Sequence, residues 1–192
     1  LAVHFDNGWN SEIAVKNIKS TTEKLNIDLY THVADWEEFK DMQIAFLKSS
    51  TPDAEVPTDY VIISVLLEVA SLEGIKYIVE GQATRAEGTT PLGWTYHDGR
   101  YLRDVHNKFG KIKKAKSFPV LSLAKLLYYF FIKRISLVRP LELTDYSKKM
   151  AKEVNKNELD WLDPGGHHHE SIFTKFFQSY YLPKKFNIDK RK

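Results

Sequence analysis

The stretch of sequence that decides the fold reads Val-His-Phe-Asp-Asn-Gly-Trp-Asn-Ser and occupies residues 3–11. An apolar run that includes Val3 and Phe5 ends abruptly at Asp6, where a polar Asn-Gly pair follows. From Ser11 onward, apolar residues recur at helical spacing among polar ones. The stretch therefore predicts a strand, a polar loop and a helix whose first turn is capped by Ser11.

Apolar runs and helical periods alternate along the chain. Strands are predicted at residues 1–5, 28–33, 75–79 and 135–138. Helices are predicted at residues 11–25, 35–49, 59–72, 122–133 and 147–155, with Thr58 as the cap of the third. Residues 89–101 combine aromatic residues with Pro and Gly and predict an irregular segment. The pattern is typical of an α/β fold with one parallel sheet of about four strands between helices.

Composition narrows the class of protein. The 192 residues suffice for one core or for a core with an appendage, and the formal net charge of +3 gives no reason to expect nucleic acid. Cysteine is absent, which excludes disulfides, thiolate metal sites and a cysteine nucleophile. The most apolar stretch, residues 120–132, contains Lys125 and is shorter than the ~20 residues that span a bilayer. We therefore expect a cytoplasmic protein with no membrane partner.

Two polar segments follow predicted strands and are candidate ligand sites. In open α/β sheets, ligands bind at the carboxyl ends of strands, where Phe5, Asp6 and Asn7 are expected. These residues could hold a base or a ribose, although Asp-Asn-Gly is also ordinary turn chemistry. Gly81 and Gln82 open a second polar segment, residues 80–88, which is either a ligand loop or a surface loop and contains no phosphate-binding motif.

Residues 165–171 read Gly-Gly-His-His-His-Glu-Ser. Imidazole and carboxylate groups suit zinc or iron, but adjacent histidines on an extended segment point in opposite directions, so we predict no metal site. Free imidazole titrates near neutrality, so His168 or His169 would suit acid–base chemistry or substrate contact. A purely structural role for the segment remains the alternative.

Two further patterns have simple explanations. Residues 108–116 carry five lysines, which could contact RNA or a diphosphate but more commonly form a solvated face. Phe173, Phe176, Phe177 and Tyr180 recur at helical spacing and predict a core stripe or a partner interface.

A combination of motifs resembles the N-acetyl sugar amidotransferases, which are PP-loop enzymes of bacterial surface-polysaccharide and flagellin-glycan synthesis. The motifs occupy residues 3–11, 35–39, 57–59, 80–81, 87–88, 165–178 and 185–191. Arg139-Pro140-Leu141 also looks like the Arg-Pro-Leu that closes many PP-loop ATPase domains. The resemblance implies a Rossmann-like α/β domain of the adenine nucleotide alpha-hydrolase type over residues 1–146. It also implies a helical, aromatic substrate-binding segment over residues 147–192.

The chemistry that the resemblance implies converts the N-acetyl group of a nucleotide sugar into an acetamidino group. ATP, with Mg²⁺, would adenylylate the amide oxygen, and ammonia would displace AMP. The ammonia would come from a partner glutaminase through a cyclase-like subunit.

The resemblance also implies roles for particular residues. Phe5, Asp6, Asn7, Gly81 and Gln82 would bind the nucleotide. Asp59 and Glu87 would orient the acetamido group, and His168, His169 and Glu170 would bind the sugar or transfer protons; these five candidates form the expected catalytic set. All of them are expected to line one cleft.

Two features of the family do not occur in this sequence: the Ser-Gly-Gly-x-Asp-Ser loop and a cysteine cluster. We therefore expect a fold that is incomplete at its N-terminus and a chain that is inactive alone and binds ATP weakly. A PP-loop tRNA-modifying enzyme and a non-catalytic nucleotide-binding module are the alternative hypotheses.

Overall fold

The computed structural model describes residues 1–83, 98–113, 115–166 and 169–189. The chain forms two compact units. Leu1–Trp36 and Lys149–Lys192 make up the terminal unit, and Glu37–Lys148 makes up the central unit. The chain passes from one unit to the other after Trp36 and again after Lys148. The two predicted domains themselves stay a prediction.

The elements follow the alternation that the sequence predicts. In chain order they are β1 (Ala2–Asp6), α1 (Glu12–Lys24), β2 (Leu29–Val33), α2 (Trp36–Ser49), α3 (Val56–Leu72), β3 (Tyr77–Val79), α4 (Gly99–Phe109), α5 (Leu123–Leu127), β4 (Ser136–Val138), α6 (Lys148–Leu159), α7 (Ile172–Phe176) and α8 (Leu182–Phe186). π-Helical turns at Tyr128–Ile132 and Phe177–Tyr181 extend α5 and α7, and Pro140–Leu143 form a 3₁₀ turn.

In the terminal unit, β1 and β2 pair in parallel, with Ala2 opposite Leu29 and Asp6 opposite Val33. Helix α1 connects them, and Ser11 caps it by accepting a hydrogen bond from the Ala14 amide at 3.2 Å. Two parallel strands need a long crossover connection such as a helix, because a tight turn reverses the direction of the chain and leaves the strands antiparallel. The predicted strand, loop and capped helix are thus confirmed.

In the central unit, β3 and β4 form a second parallel pair, with Ile78 opposite Leu137. The core of the unit comes from α2, α3 and α4, which bury Phe39, Phe46, Val65 and Leu102. Each such side chain contributes about 2 kcal/mol relative to an exposed one. The mixed α/β class with parallel strands flanked by helices is therefore confirmed.

The prediction of one sheet with about four strands has to be corrected, because the described strands form two separate pairs. The positions of all four strands were predicted to within two residues. Apolar runs reveal where strands lie, but they do not encode which strands become neighbours. The sequence therefore predicts where the four strands lie, but it does not predict that they form two separate pairs.

Two helix predictions also need correction. Helix α3 begins at Val56, ahead of the predicted cap Thr58, because Pro57 has a backbone geometry that suits a first helical turn. Helix α4 starts at Gly99, inside the stretch that was predicted to be irregular, and Asp98 caps it. The remainder of that stretch, residues 89–97, lies outside the described residues.

In the described part of the chain, no helix combines the length and the apolar character needed to cross a membrane.

Candidate functional site at the end of the first strand

The histidine-containing tail lies against the loop that follows β1. The Ser11 amide donates to the Glu170 carbonyl at 2.8 Å, and the Ile172 amide donates to the Trp9 carbonyl at 2.8 Å. Between these bonds, Asn10 and Ser171 form an isolated antiparallel bridge. Backbone pairing therefore places Glu170, and His169 beside it, next to the loop at the carboxyl end of β1.

Polar side chains of that loop hold its own backbone. Oδ1 of Asp6 accepts from the Gly8 amide at 3.0 Å and from Nδ2 of Asn10 at 3.2 Å. Oδ1 of Asn7 accepts from the Trp9 amide at 3.1 Å, and Asn7 is buried. Gly8 has a φ of +80°, which a residue with a side chain rarely adopts. The turn chemistry that the sequence allowed is therefore present, with polar side chains fixed at the strand end.

His4 belongs to the same cluster and was missed from the sequence. Its Nε2 lies 3.2 Å from Nδ2 of Asn10, so the amide of Asn10 is shared between His4 and Asp6. Burial lowers the pKa of His4, and the nearby Asp6 carboxylate only partly opposes this. The available signal was the alternation of strand side chains, which puts His4 and Asp6 on the same face of β1.

Aromatic packing anchors the tail helix to this loop. The Trp9 ring meets Trp36 edge-on at 5.1 Å between centroids and lies 5.7 Å from Phe173. Phe173 stacks in turn on Phe177 at 6.1 Å, and both are buried. Phe176 is exposed, so the predicted stripe is part core and part surface.

Helix α1 holds the tail ahead of the histidines. Asn17 is buried and makes two hydrogen bonds with the Leu162 backbone, one to its carbonyl and one from its amide, both at 2.8 Å. Ser20 donates to the Leu159 carbonyl at 2.6 Å, and Lys24 pairs with Asp160. The path of the tail toward His169 is thus fixed by polar contacts.

The position of His169 depends on a glycine. A Cβ atom at Gly166 would overlap the His169 imidazole ring, so the ring lies directly against the Gly166 backbone. Any larger residue at position 166 would displace that ring. His168, the other histidine of the predicted catalytic set, lies outside the described residues.

The remaining predicted site residues belong to the central unit. Gly81 and Gln82 are exposed just after β3, and Asp59 is half-buried in the first turns of α3. Beside them, Glu80 accepts from Nε of Arg139 at 2.8 Å, which joins the ends of β3 and β4. Glu87 lies outside the described residues. The expected convergence of these residues with Asp6 and His169 on one cleft stays a prediction.

The basic stretch, residues 108–116, is held by two carboxylates of α2. Asp41 is buried and accepts from the Lys111 and Ile112 amides and, at 3.0 Å, contacts Nε2 of His106. Glu38 accepts from the Ser117 amide at 2.8 Å. No local sequence pattern indicates these contacts, because the partners lie 65–79 residues apart.

These hydrogen bonds set the charge of the two carboxylates. Burial by itself would raise the pKa of Asp41, but hydrogen bonds from Ile112, His106 and Lys111 outweigh it and lower the pKa. For Glu38, the hydrogen bonds from Ser117 and Lys116 likewise outweigh burial and lower the pKa. Both groups are therefore carboxylates at neutral pH, whereas Lys108, Lys111, Lys113 and Lys116 present their side chains to solvent.

Among the described residues, no group of three or more His, Asp or Glu side chains could hold a metal ion. The polar side chains of His4, Asp6 and Asn10 are instead engaged in hydrogen bonds with one another.

Comparison with models of known protein families gives no match, and neither do comparisons with curated proteins and with solved structures.

Proposed function

We propose that this chain is part of an ATP-dependent amidotransferase of the PP-loop class that acts on the N-acetyl group of a nucleotide sugar. The observation that carries the proposal is the backbone pairing of the tail with the loop after β1. It lays the tail segment that carries His169 and Glu170 against the loop that follows Asp6 and Asn7, about 160 residues away in the sequence. A Rossmann-like arrangement of the strand pairs is part of the same proposal.

The nucleotide would use the end of β1. Asp6 and Asn7 are held rigidly at the carboxyl end of a parallel strand, which suits hydrogen bonding to a ribose or an adenine ring. Phe5 would contribute apolar contact. The phosphates and their Mg²⁺ ion need a cradle of backbone amides, which the resemblance assigns to the Ser-Gly-Gly-x-Asp-Ser loop.

The reaction proceeds in two steps. The amide oxygen of the sugar attacks the α-phosphorus of ATP, and pyrophosphate leaves with the electrons of the broken P–O bond. Ammonia then adds to the imidate carbon, loses a proton, and AMP leaves with the former amide oxygen to give the acetamidino group. Adenylylation is needed because an amide oxygen is otherwise a poor leaving group, and water must be kept away from the activated carbon.

The chain's own residues would manage protons and orientation. His169 and His168 can accept a proton from incoming ammonium, since free imidazole titrates near neutrality. Glu170 would hold the sugar or the protonated imidazole. Asp59 and Glu87 would orient the acetamido group, and Gly81 and Gln82 would contact the nucleotide.

An oxygen-tracing experiment tests the proposal. The complete protein is combined with ATP, its glutaminase and cyclase-like partners, and a nucleotide sugar whose N-acetyl oxygen is ¹⁸O. We expect an acetamidino product and one ¹⁸O in AMP, both detected by mass spectrometry. Product without label in AMP would refute adenylylation of the amide oxygen, and release of unlabelled AMP without product would refute the amidotransferase assignment.

Variants test the site within the same assay. His168→Ala, His169→Ala and Glu87→Gln should each reduce acetamidino formation by about 10²-fold or more while leaving the fold intact. Glu158→Gln, which changes an exposed carboxylate on α6, is the matched control and should retain full activity. Turnover near that of the unmodified protein in all three variants would refute the catalytic set.

The exposed lysines of the basic stretch favour one alternative, a PP-loop enzyme that modifies tRNA. Under that hypothesis, tRNA binds with a steep salt dependence that weakens when Lys111 and Lys113 are changed to Gln. The amidotransferase proposal predicts no tRNA-dependent consumption of ATP.

A further inference from the structure

Three side chains at the end of β1 are connected by hydrogen bonds. Nδ2 of Asn10 lies 3.2 Å from Nε2 of His4 and 3.2 Å from Oδ1 of Asp6. His4 and Asp6 lie on the same face of β1, because the side chains of a strand alternate between its two faces. Asn10 therefore links two neighbours on that face, and the proposed nucleotide site uses only Asp6 of the three.

The chemistry of the Asn10 side chain fixes the direction of both bonds. An ionised carboxylate only accepts hydrogen bonds, so the end of the Asn10 amide that faces Asp6 must be the NH₂ group. The opposite orientation of the amide would set its oxygen against a carboxylate oxygen. The amide nitrogen carries two N–H groups and accepts nothing, so the second N–H is donated to His4. Nε2 of His4 is therefore an acceptor, and its imidazole is neutral with the proton on Nδ1.

The same bonds orient the Asp6 carboxylate. Its Oδ1 atom accepts from the Asn10 side chain and, at 3.0 Å, from the Gly8 amide. Within the described part of the chain, its Oδ2 atom receives no hydrogen bond, and Asp6 is only half-buried. The protein thus holds one carboxylate oxygen, and the other is available to a hydroxyl group of a ligand.

We propose that His4 is a positioning residue of the nucleotide site. As a neutral acceptor it holds Asn10, Asn10 holds Oδ1 of Asp6, and Oδ2 of Asp6 accepts from a ribose hydroxyl of ATP. A carboxylate that is fixed in advance binds a hydroxyl more tightly than a rotating one, because less side-chain freedom is lost on binding. This inference rests on the proposed function, which places a ribose at Asp6, and His4 itself touches no reacting atom.

Protonation of His4 would break this arrangement. An imidazolium only donates, so it cannot keep the bond from Asn10, and it would attract the Asp6 carboxylate directly. Among the described residues, Asp6 is the charged group that acts on His4, and Thr31, opposite His4 on β2, is uncharged. Burial outweighs the effect of Asp6 and lowers the pKa of His4 from 6.5. ATP affinity should therefore be complete above pH 6.5 and fall as the pH falls through the lowered pKa.

Calorimetry of ATP binding to the complete protein tests the proposal. His4→Leu and Asn10→Leu should each weaken binding by about tenfold, because the Asp6 carboxylate loses its support. The double variant should bind no more weakly than Asn10→Leu alone, because His4 acts through Asn10. Thr31→Val is the matched control, since Thr31 is exposed beside His4 on β2, and it should bind ATP as the unmodified protein does.

The pH dependence of ATP affinity separates positioning by His4 from a merely structural role. His4→Gln keeps a side-chain acceptor but does not titrate. Above pH 6.5 it should bind ATP nearly as tightly as the unmodified protein, and on acidification it should lose the weakening that His4 causes. The ATP phosphates titrate equally in both measurements, so the difference between the two profiles reports His4 alone.

Three results would overturn the role of His4 and leave the proposed function standing. They are equal ATP affinity in His4→Leu and Thr31→Val, identical pH profiles for His4→Gln and the unmodified protein, and additive losses in the double variant. The last of these would show that His4 does not act through Asn10. A complete protein that binds no ATP would overturn the proposed function and this inference together.

Discussion

The loop after β1 and the loop after α4 differ in where the hydrogen-bond acceptors for their backbone amides come from. Both must provide acceptors for backbone amides that no helix or strand satisfies. In the loop after β1, Asp6 and Asn7 accept from amides two residues ahead of themselves. That loop therefore carries its own acceptors in its own sequence.

In the loop after α4, the acceptors are side chains of another helix, α2. Asp41 and Glu38 of α2 accept from amides at positions 111–112 and 116–117, at 2.8–3.1 Å. The loop itself consists mainly of lysines, whose side chains cannot accept a hydrogen bond. Its shape therefore depends on α2.

The largest effect is expected from Asp41→Ala. The substitution leaves the Lys111 and Ile112 amides and the buried His106 ring without their acceptor, which costs about 3 kcal/mol of unfolding free energy. Urea denaturation measures the loss.

Glu37→Ala provides the matched control, since Glu37 lies on the same helix but is exposed and pairs with Lys40. It should cost less than about 0.5 kcal/mol. Equal losses in the two variants would mean that Asp41 does not support the loop.

This difference also explains what could be predicted from the sequence. The β1 loop, the Ser11 cap and all four strands were predictable, because their signals lie within a few neighbouring residues. The role of Asp41 was not, because a helix with one buried acidic residue resembles many helices with exposed ones. The prediction of a single sheet was wrong for the same reason, since strand pairing depends on residues that are far apart in the sequence.

In the candidate site, too, the local features could be predicted from the sequence and the long-range contacts could not. Asp6 and Asn7 could be selected by their position after a strand, and His169 and Glu170 by their unusual composition. The tail lies against the loop after β1 through the Asn10–Ser171 bridge, which no local pattern indicates. Helix α4 was missed although Asp98 is a good cap and Leu102 and Val105 follow at helical spacing, because the neighbouring aromatic residues and glycines suggested a loop.

A second, smaller effect is expected from Asn17→Ala in the terminal unit. The variant loses both hydrogen bonds with the Leu162 backbone and should destabilise the protein by about 2 kcal/mol. The tail should detach first, so the Ile172 amide, which is bonded to Trp9, should exchange with solvent faster.

Asn17→Asp tests the hydrogen bond that Asn17 donates separately from the one that it accepts. It keeps an acceptor for the Leu162 amide but sets a buried carboxylate oxygen against the Leu162 carbonyl, so its cost should exceed that of Asn17→Ala. Unchanged exchange at Ile172 in both variants would contradict the role of Asn17 in holding the tail.

Gly8→Ala should cost about 1 kcal/mol, because φ at Gly8 is +80° and the added Cβ would lie 3.0 Å from the Trp36 ring. Gly74→Ala is a useful control, since it has a similar φ of +69° but open space around it. Comparing the two variants isolates the contact with Trp36 from backbone strain. Equal costs would show that the contact contributes nothing measurable.

The smallest effect is expected on acidification, which should destabilise the loop after β1 before it destabilises the loop after α4. The pKa of His4 is lowered by burial from an ordinary 6.5, so the unfolded chain takes up this proton first. Stability contributed by neutral His4 is complete above pH 6.5 and is lost as the pH falls through the folded-state pKa. The pKa values of Asp41 and Glu38 are lowered from 3.8 and 4.5, so the stability that they contribute is lost only below that range.

Hydrogen exchange during acidification can separate the two losses. Protonated His4 can no longer accept from Asn10, and Asn10 bridges to Ser171, so exchange at the Ser11 amide should rise as the pH falls through the lowered pKa of His4. Exchange at the Ile112 amide should rise only below pH 3.8, because the pKa of Asp41 is lowered from that value. His4→Gln keeps a side-chain acceptor but does not titrate, so it should remove the first rise and leave the second. If Ile112 opened before Ser11, or if His4→Gln left the first rise in place, the titrating group in the β1 loop would not be His4.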